Sequence, residues 1–233
     1  MKIRRYLMKK IKKGEKLHLS LIDPANQNPE KSAALAKFAD NLGTDAILIG
    51  GSYALKNSEK LDNTIREIKK ITNLPVILFP SSISYISKYA DAIFFLSLLN
   101  SKDPRYIVRE PAKGAPIIKK INLEIIPVAY LIVEPGMTAG KRGKAKLIKR
   151  DNIQSVLEYA LFAEFVGFDF LYLEAGSGSP KPVPDNMIKA IKKETSFPLI
   201  VGGGIKSPEI ARRKIISGTD TVSYTHLTLP TKA

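Results

Sequence analysis

The chain reads YLEAGSG at residues 172–178 and VGGGI at residues 201–205, two short apolar runs that each end in a glycine-rich turn. A glycine turn that leaves a buried strand exposes backbone N–H groups that no side chain shields. Two such turns side by side form a socket for a phosphate monoester. In barrels of alternating strands and helices, that socket lies on the loops after the last strands. The two turns therefore predict a barrel that binds a small phosphorylated substrate.

Short apolar runs alternate with helical patterns along the rest of the chain. Repeated strand–helix units of about 25–30 residues predict a parallel sheet that is covered by helices. The predicted strands are Leu17–Ile22, Asp45–Ile49, Pro75–Phe79, Ala92–Leu96, Ile125–Val133, Phe170–Leu173 and Leu199–Val201. The predicted helices are Pro29–Leu42, Ser58–Thr72, Asn152–Val166, Asp185–Glu194 and Ser207–Ser217.

This alternation predicts an α/β fold, a TIM (β/α)8 barrel whose eighth strand is expected where the C-terminal tail begins. An open doubly wound sheet is the second interpretation, but such a sheet carries its phosphate-binding glycines on the first turn. The third unit is irregular and short, because the serine-rich segment 80–89 hardly accommodates a crossover helix with its loops. We expect a thin barrel wall there and an apolar side groove, with Tyr85, Ile86 and Tyr89 as candidates for its lining.

Residues 222–231 read VSYTHLTLPT, which closely resembles the conceptual translation of a transposase adapter used to prepare sequencing libraries. We therefore expect the natural chain to continue past Thr221. On this interpretation, residues 1–221 form a single barrel domain that is truncated before or within strand eight, and residues 222–233 are a non-native tail. The barrel is then expected to stay open and the phosphate socket to be incomplete. A genuine but unusual terminus is the alternative.

The composition argues against several kinds of site. The 233 residues include no cysteine and only two histidines, His18 and His226, which disfavours disulfides, thiol nucleophiles, zinc sites and serine–histidine triads. Any metal is then an oxygen-ligated cation, and Mg²⁺ is the natural candidate beside phosphates. No apolar run approaches the length of a membrane span and no signal peptide begins the chain, so we expect a cytoplasmic protein.

The formal net charge is +15. Nucleic-acid binding, attraction to a membrane surface and a lysine-rich proteome all produce such a charge. The lysines are spread along the whole chain, so we favour compositional bias and expect no nucleic-acid partner. The Lys/Arg-rich residues 1–16 predict at most a weak peripheral contact with anionic lipid.

Seven sequence blocks occur in a fixed order: SLIDP (20–24), GGS (50–52), PVILFP (75–80), ADAIFFLSLLNS (90–101), VAYLIVEPG (128–136), YLEAGSG (172–178) and VGGGI (201–205). In order and spacing, this set resembles the geranylgeranylglyceryl phosphate synthase family. That family consists of TIM-barrel prenyltransferases that make the first ether bond of archaeal lipids. A single block such as GGGI occurs in many phosphate-binding barrels, so the whole ordered set carries the resemblance.

The resemblance implies Mg²⁺-dependent transfer of a prenyl group from its diphosphate to the hydroxyl of sn-glycerol 1-phosphate. The bacterial branch, which makes heptaprenylglyceryl phosphate, often has a lysine two residues before the aspartate of its first strand. Here that residue is Leu21, so we favour the archaeal branch, with geranylgeranyl diphosphate as the donor. Heptaprenylglyceryl phosphate synthase stays open as an alternative, and homo-oligomers are implied by analogy.

The resemblance also assigns roles to residues. It places Mg²⁺ on Asp23 and Ser52, and it makes Glu174 and Asp23 the catalytic residues, with Glu174 accepting the proton of the attacking hydroxyl. Without the resemblance, Asp23 is a turn residue, Ser52 a helix N-cap and Glu174 a salt-bridge partner at a strand end. The residues expected to bind sn-glycerol 1-phosphate are Tyr172, Leu173, Glu174, Ala175, Gly176, Ser177, Gly178, Gly203 and Gly204. A Gly-Asn turn that completes the phosphate site in the family is absent here.

Two further functions are alternatives to this one. Another phosphate-binding TIM-barrel enzyme, such as an isomerase, normally needs a second carboxylate or a lysine at other strand ends, and no matching lysine is found here. A basic nucleic-acid-binding domain is the non-enzymatic alternative, because of the charge. Salt-sensitive DNA binding, set against saturable binding of glycerol phosphate, separates these functions.

Overall fold

A closed parallel barrel forms the centre of the molecule. The computed structural model describes residues 2–51 and 58–224. Within these residues, eight parallel strands pair in sequence order, and β8 also pairs with β1, so that the sheet closes on itself. The strands are β1 (Leu17–Ile22), β2 (Ala46–Gly50), β3 (Val76–Phe79), β4 (Ala92–Leu98), β5 (Glu124–Ile132), β6 (Phe170–Glu174), β7 (Leu199–Gly202) and β8 (Thr221–Tyr224).

Helices cover the outside of the barrel. Side-chain oxygens of Asn28, Asn152 and Ser207 cap the helices that follow them, as such residues commonly do. None of the described helices has both the length and the apolar character needed to cross a bilayer. The helices are α1 (Lys2–Lys12), α2 (Pro29–Asn41), α3 (Ser58–Ile71), α4 (Glu110–Lys120), α5 (Met137–Arg142), α6 (Ile153–Val166), α7 (Asp185–Glu194) and α8 (Pro208–Ile216).

The strands are mostly apolar because helices cover one of their faces and the barrel interior the other. All five residues of β2, which reads AILIG, are buried. Inward-facing side chains such as Phe94 and Phe170 fill the barrel, and outward-facing ones such as Leu173 pack under the helices. Helix α1 closes the N-terminal end of the barrel, where Ile3 and Leu7 join the interior cluster. The chemistry is therefore left to the opposite end, where the strands finish.

The third unit has the irregular form that the sequence predicts. Between β3 and β4 the chain makes only a 3-10 turn, Ile83–Tyr85, instead of a helix. After β4, helix α4 is entered through one π-helical turn, Arg105–Arg109. The outer layer is consequently thin beside β3 and β4.

The eighth strand corrects the expectation of an open barrel. Strand β8 forms from Thr221 and the first three residues of the predicted tail, and it pairs in parallel with both β1 and β7. Threonine, valine and tyrosine are residue types that strands favour. Thr221 and Ser223 are buried, and Val222 joins the cluster under the helices. Four residues suffice to close the sheet; the rest of the tail, with His226, lies outside the described residues.

Three helices were missing from the sequence-based prediction. They are α1, α4 and α5. The basic stretch 141–144 covers the end of α5 and the turn after it, and it is bound to the segment after β4. Ser101 Oγ donates to Gly143 O at 2.6 Å, and Lys102 N donates to Lys144 O at 2.9 Å.

Candidate active site

One cavity opens at the end of the barrel where the strands finish. Its volume is about 530 Å³, which falls within the usual range for small-molecule sites. Asp23, Gly51, Glu174 and Ser177 line it around the barrel mouth. An apolar branch runs from the mouth towards the thin third unit and is lined by Phe79, Ile83, Ile86, Phe95, Gly114 and Ile118. The cavity thus joins a polar end to an apolar branch.

Glu174, the last residue of β6, is a buried carboxyl group at the cavity wall. Its Oε1 accepts a hydrogen bond from Gly176 N at 2.5 Å, and the hydroxyl of Tyr172 donates to the same carboxyl group. Burial disfavours the charged form more strongly than these bonds favour it, and it raises the pKa of Glu174 from 4.5 to about 7. Burial also raises the pKa values of Tyr172 and Tyr130 well above 10.0, so both phenols stay protonated. Glu174 is therefore poised to gain or lose a proton near neutral pH.

The two glycine turns meet beside Glu174. A side chain at Gly203 would place its Cβ 2.6 Å from Gly176 N, so only glycine allows this approach. Gly176, Gly178, Gly203 and Gly204 all have positive φ angles, between 69° and 97°, which glycine adopts without strain. The structure thus brings together the two turns that the sequence singled out.

The remaining residues predicted to bind glycerol phosphate differ in what they can contribute. The side chains of Leu173 and Ala175 belong to the cluster under the helices, so these two residues can offer a ligand only their backbone atoms. Ala175 O is already occupied, because it accepts from Gly136 N at 3.0 Å. Ser177 and Gly178 are exposed at the rim, where Ser177 lines the cavity.

Asp23 follows β1 and lines the same cavity. Its two carboxylate oxygens accept from Ala25 N and Asn26 Nδ2, each at 2.9 Å. Burial raises the pKa of Asp23. Gly51 leaves room in front of the carboxylate, since a Cβ there would lie 2.6 Å from Asp23 Cγ. Ser52, the second predicted metal ligand, lies outside the described residues.

These residues suit a magnesium ion that shares its ligands with a substrate. Within the described ranges, no three acidic or histidine side chains gather to form a metal cage. Magnesium, however, commonly takes one or two carboxylates and completes its shell with phosphate oxygens and water. A single carboxylate that faces a cradle kept open by glycine fits that pattern.

The apolar branch differs in detail from the predicted groove. Ile86 lines it as expected, whereas Tyr85 is completely buried in the core and Tyr89 packs against the guanidinium of Arg66, 4.0 Å from its ring centre. At the junction with the polar end, Phe79 packs edge-on against Tyr130 with ring centres 5.6 Å apart. Aromatic side chains therefore line the cavity at this junction.

Several cavity residues were missed by sequence reasoning. Arg105, Glu110 and Arg142 line the cavity, and Arg105 Nε donates to Glu110 Oε1 at 3.0 Å. They belong to the π-helical turn, α4 and α5, which the sequence did not predict as helical. A helical periodicity across 105–120 would have been the signal, but Pro111, Gly114 and Pro116 obscure it.

The sequence as a whole matches known proteins. The profile of the PcrB family matches residues 9–227. The geranylgeranylglyceryl phosphate synthase of Pyrococcus horikoshii is 48% identical over 221 residues, which cover 95% of this chain and 86% of that protein.

Two solved structures agree closely with the barrel. Wild-type geranylgeranylglyceryl phosphate synthase from Thermoplasma volcanium superimposes with a TM-score of 0.92 at 46% identity, over 96% of this chain and 89% of that one. The enzyme from Thermoplasma acidophilum, solved with its substrate sn-glycerol-1-phosphate, gives a TM-score of 0.93 at 43% identity, over 96% and 90% of the two chains.

Proposed function

This chain belongs to the PcrB family, and we propose that it is a prenyltransferase that joins a geranylgeranyl group to sn-glycerol 1-phosphate through an ether bond. One observation carries the proposal. The two glycine turns, which we call the phosphate cup, meet beside Glu174, and Glu174 and Ser177 line the same cavity as the apolar branch, so a phosphorylated polar acceptor and a long hydrocarbon donor can meet there. The solved relative that holds sn-glycerol-1-phosphate supports the same acceptor here.

The acceptor end is built from β6 and β7. Amides of the two turns, such as those of Gly178 and Gly203, would hold the phosphate in the way that successive backbone N–H groups hold anions. The amide of Gly176 instead donates to Glu174 and fixes its carboxyl group beside the cup. Glu174 lies beside these turns and would bind the glycerol hydroxyls. Since the pKa of Glu174 is about 7, its carboxylate is present at neutral pH and is basic enough to take a proton there.

The reaction then needs one bond to form and one to break. The acceptor hydroxyl oxygen attacks the first carbon of the prenyl chain, and its proton passes to the Glu174 carboxylate. The allylic carbon–oxygen bond breaks, and its electron pair leaves with the diphosphate. Buried Tyr172 donates a hydrogen bond to the carboxyl group and so orients Glu174 towards the cup.

The diphosphate leaving group requires a positive charge nearby. We propose that Asp23 holds Mg²⁺, with Ser52 as a second ligand from the family resemblance. A magnesium ion bound there would neutralise the negative charge that develops on the diphosphate. The geometry that supports this is the half-buried Asp23 carboxylate, which faces the space left by Gly51.

The donor chain is proposed to lie in the apolar branch. Ile83, Ile86 and Ile118 line that branch, and the 3-10 turn leaves it open towards the side of the barrel. A hydrocarbon chain placed there buries apolar surface, at about 25 cal/mol per Å². The choice of geranylgeranyl over heptaprenyl follows the names of the relatives.

Three broader expectations stay predictions: residence in the cytoplasm, peripheral contact with a membrane and self-association. The exposed, basic face of α1, which includes Lys2, Arg5 and Lys9, supports contact with anionic lipid. Phe162 and Phe165 on α6 are 51% and 81% exposed, and this apolar face supports self-association.

The proposal is tested by incubating the protein with radiolabelled geranylgeranyl diphosphate, sn-glycerol 1-phosphate and Mg²⁺. The expected product is an ether that survives alkaline hydrolysis. sn-Glycerol 3-phosphate, the mirror-image acceptor, is the matched control and should react poorly. Heptaprenyl diphosphate in competition tests the donor length. The absence of any ether-linked product would rule out the proposed function.

A further inference from the structure

The loop between β6 and α7 is unusually rich in proline. Pro180, Pro182 and Pro184 alternate with other residues, so every second position lacks a backbone N–H donor. Such a loop has few amides with which to fix itself, and its carbonyl groups at Pro182 and Val183 accept from donors elsewhere. This matters because the loop directly follows the first glycine turn of the phosphate cup.

Two cations from other elements supply those donors. Arg150 Nη2 donates to Pro182 O at 2.8 Å, and Lys214 Nζ donates to Val183 O at 2.6 Å. Lys214, on α8, is 2% exposed and also pairs with Asp185 at the start of α7. Consecutive carbonyls of the loop are therefore held by Arg150 and Lys214.

Arg150 differs from Lys214 because its guanidinium also binds a second segment, which packs against the phosphate cup. Arg150 Nη1 donates to Glu134 O at 3.0 Å, in the turn after β5. That turn supports the first glycine turn directly, because a Cβ at Gly176 would lie 2.7 Å from Gly136 C. Gly136 N also donates to Ala175 O at 3.0 Å.

The other carbonyl that Arg150 holds belongs to the support of the second glycine turn. A Cβ at Gly204 would lie 2.8 Å from Pro182 N and 2.9 Å from Lys181 C, so this peptide packs against Gly204. One guanidinium therefore joins the backbone behind Gly176 to the backbone behind Gly204.

We propose that Arg150 is a positioning residue for the acceptor: by binding Glu134 O and Pro182 O together, it sets the spacing of the two glycine turns that grip the phosphate. The identity of the acceptor rests on the proposed function, whereas the grip on a phosphate group does not. Arginine is needed because its planar fork offers two separate donors, whereas a lysine ammonium is a single point charge on a flexible stem.

The test measures phosphate binding separately from turnover. The dissociation constants of inorganic phosphate and of sn-glycerol 1-phosphate are measured by calorimetry for the wild type, Arg150→Met and Arg150→Lys. Arg212→Met, which removes an exposed arginine of α8, is the matched control. We expect Arg150→Met to weaken both ligands about tenfold, or about 1.4 kcal/mol. Arg150→Lys should restore part of the affinity, and Arg212→Met should leave it unchanged.

Steady-state kinetics then separate positioning from general damage to the fold. In Arg150→Met, the KM for the acceptor should rise while the KM for the prenyl donor stays at the wild-type value. Millimolar guanidinium ion should recover acceptor binding in Arg150→Ala. Wild-type affinity in Arg150→Met, or equal losses for both substrates, would overturn the inference. If Arg150→Met does not fold, wild-type affinity in Arg150→Lys overturns it instead.

The outcomes for the two proposals are distinct. A wild-type protein that binds phosphate through Arg150 but makes no ether would contradict the proposed function and leave the positioning role standing. An active protein whose phosphate affinity ignores Arg150 would do the reverse. A wild-type protein that binds neither phosphate ligand would contradict both.

Discussion

Replacing Glu174 by glutamine should change how the stability of the protein depends on pH. Burial raises the pKa of Glu174 from 4.5 to about 7 in the folded chain, whereas an unfolded chain returns it to its ordinary value. Between these pH values the folded state holds a proton that the unfolded state has released. The unfolding free energy therefore falls as pH rises through this window. A pKa difference of this size corresponds to about 3 kcal/mol.

The assay is urea unfolding of the ligand-free protein at a series of pH values from 4.5 to 8. Glutamine cannot ionise, so the stability difference between Glu174→Gln and the wild type should shift by about 3 kcal/mol in favour of the variant across that range. Taking the difference cancels the titration of all other groups. Glu158→Gln, at an exposed carboxylate of α6, is the control and should show no such shift. A difference between Glu174→Gln and the wild type that does not vary with pH would refute the reasoning.

Three further changes test the site. Asp23→Ala should abolish turnover but leave sn-glycerol 1-phosphate binding intact, as calorimetry would show; loss of that binding would point to a structural role. Gly51→Ala should also reduce turnover sharply, because the new methyl group would lie 2.6 Å from Asp23 Cγ and displace the carboxylate. Normal turnover in Gly51→Ala would mean that this cradle is not needed. Gly203→Ala should weaken acceptor binding at least tenfold, because its φ of 78° costs an alanine about 1–2 kcal/mol and its Cβ would crowd Gly176 N at 2.6 Å. An unchanged dissociation constant would contradict the proposed phosphate cup.

The sequence was informative wherever the signal for an element was local. Strand β1 and helix α7 begin and end at the predicted residues, because a buried apolar run and an amphipathic period are both local signals. Helix α4 was missed because Pro111, Gly114 and Pro116 disfavour a helix locally. Its packing explains the exception, since a Cβ at Gly114 would lie 3.2 Å from Ile86 Cδ1. Tertiary contact thus overrides local propensity at α4.

The candidate site likewise contains residues that the sequence could predict and residues that it could not. Glu174 and the glycine turns were predictable, because a carboxylate and glycines at strand ends form a local pattern. Arg150 was not predictable, because it binds the carbonyls of Glu134 and Pro182, which lie 16 and 32 residues away in sequence. Every residue has a carbonyl group, so the sequence does not indicate which carbonyl groups accept a hydrogen bond from a side chain. The contacts that Arg150 makes behind the phosphate cup can therefore be identified only from the structure.

The geometry of the barrel explains how one cavity would serve the two proposed substrates, which differ so much in polarity. Parallel strands all finish at the same end, so Asp23 after β1 and Glu174 on β6 line a common space although about 150 residues separate them. The later strands β6 and β7 supply polar backbone, whereas β3 and β4 adjoin the unit that lacks a helix. A complete helix in that unit would cover the apolar branch and leave a cup suited only to small polar ligands. The combination of a missing helix on one side and glycine turns on the other therefore supports the proposed joining of a hydrocarbon to a phosphate ester.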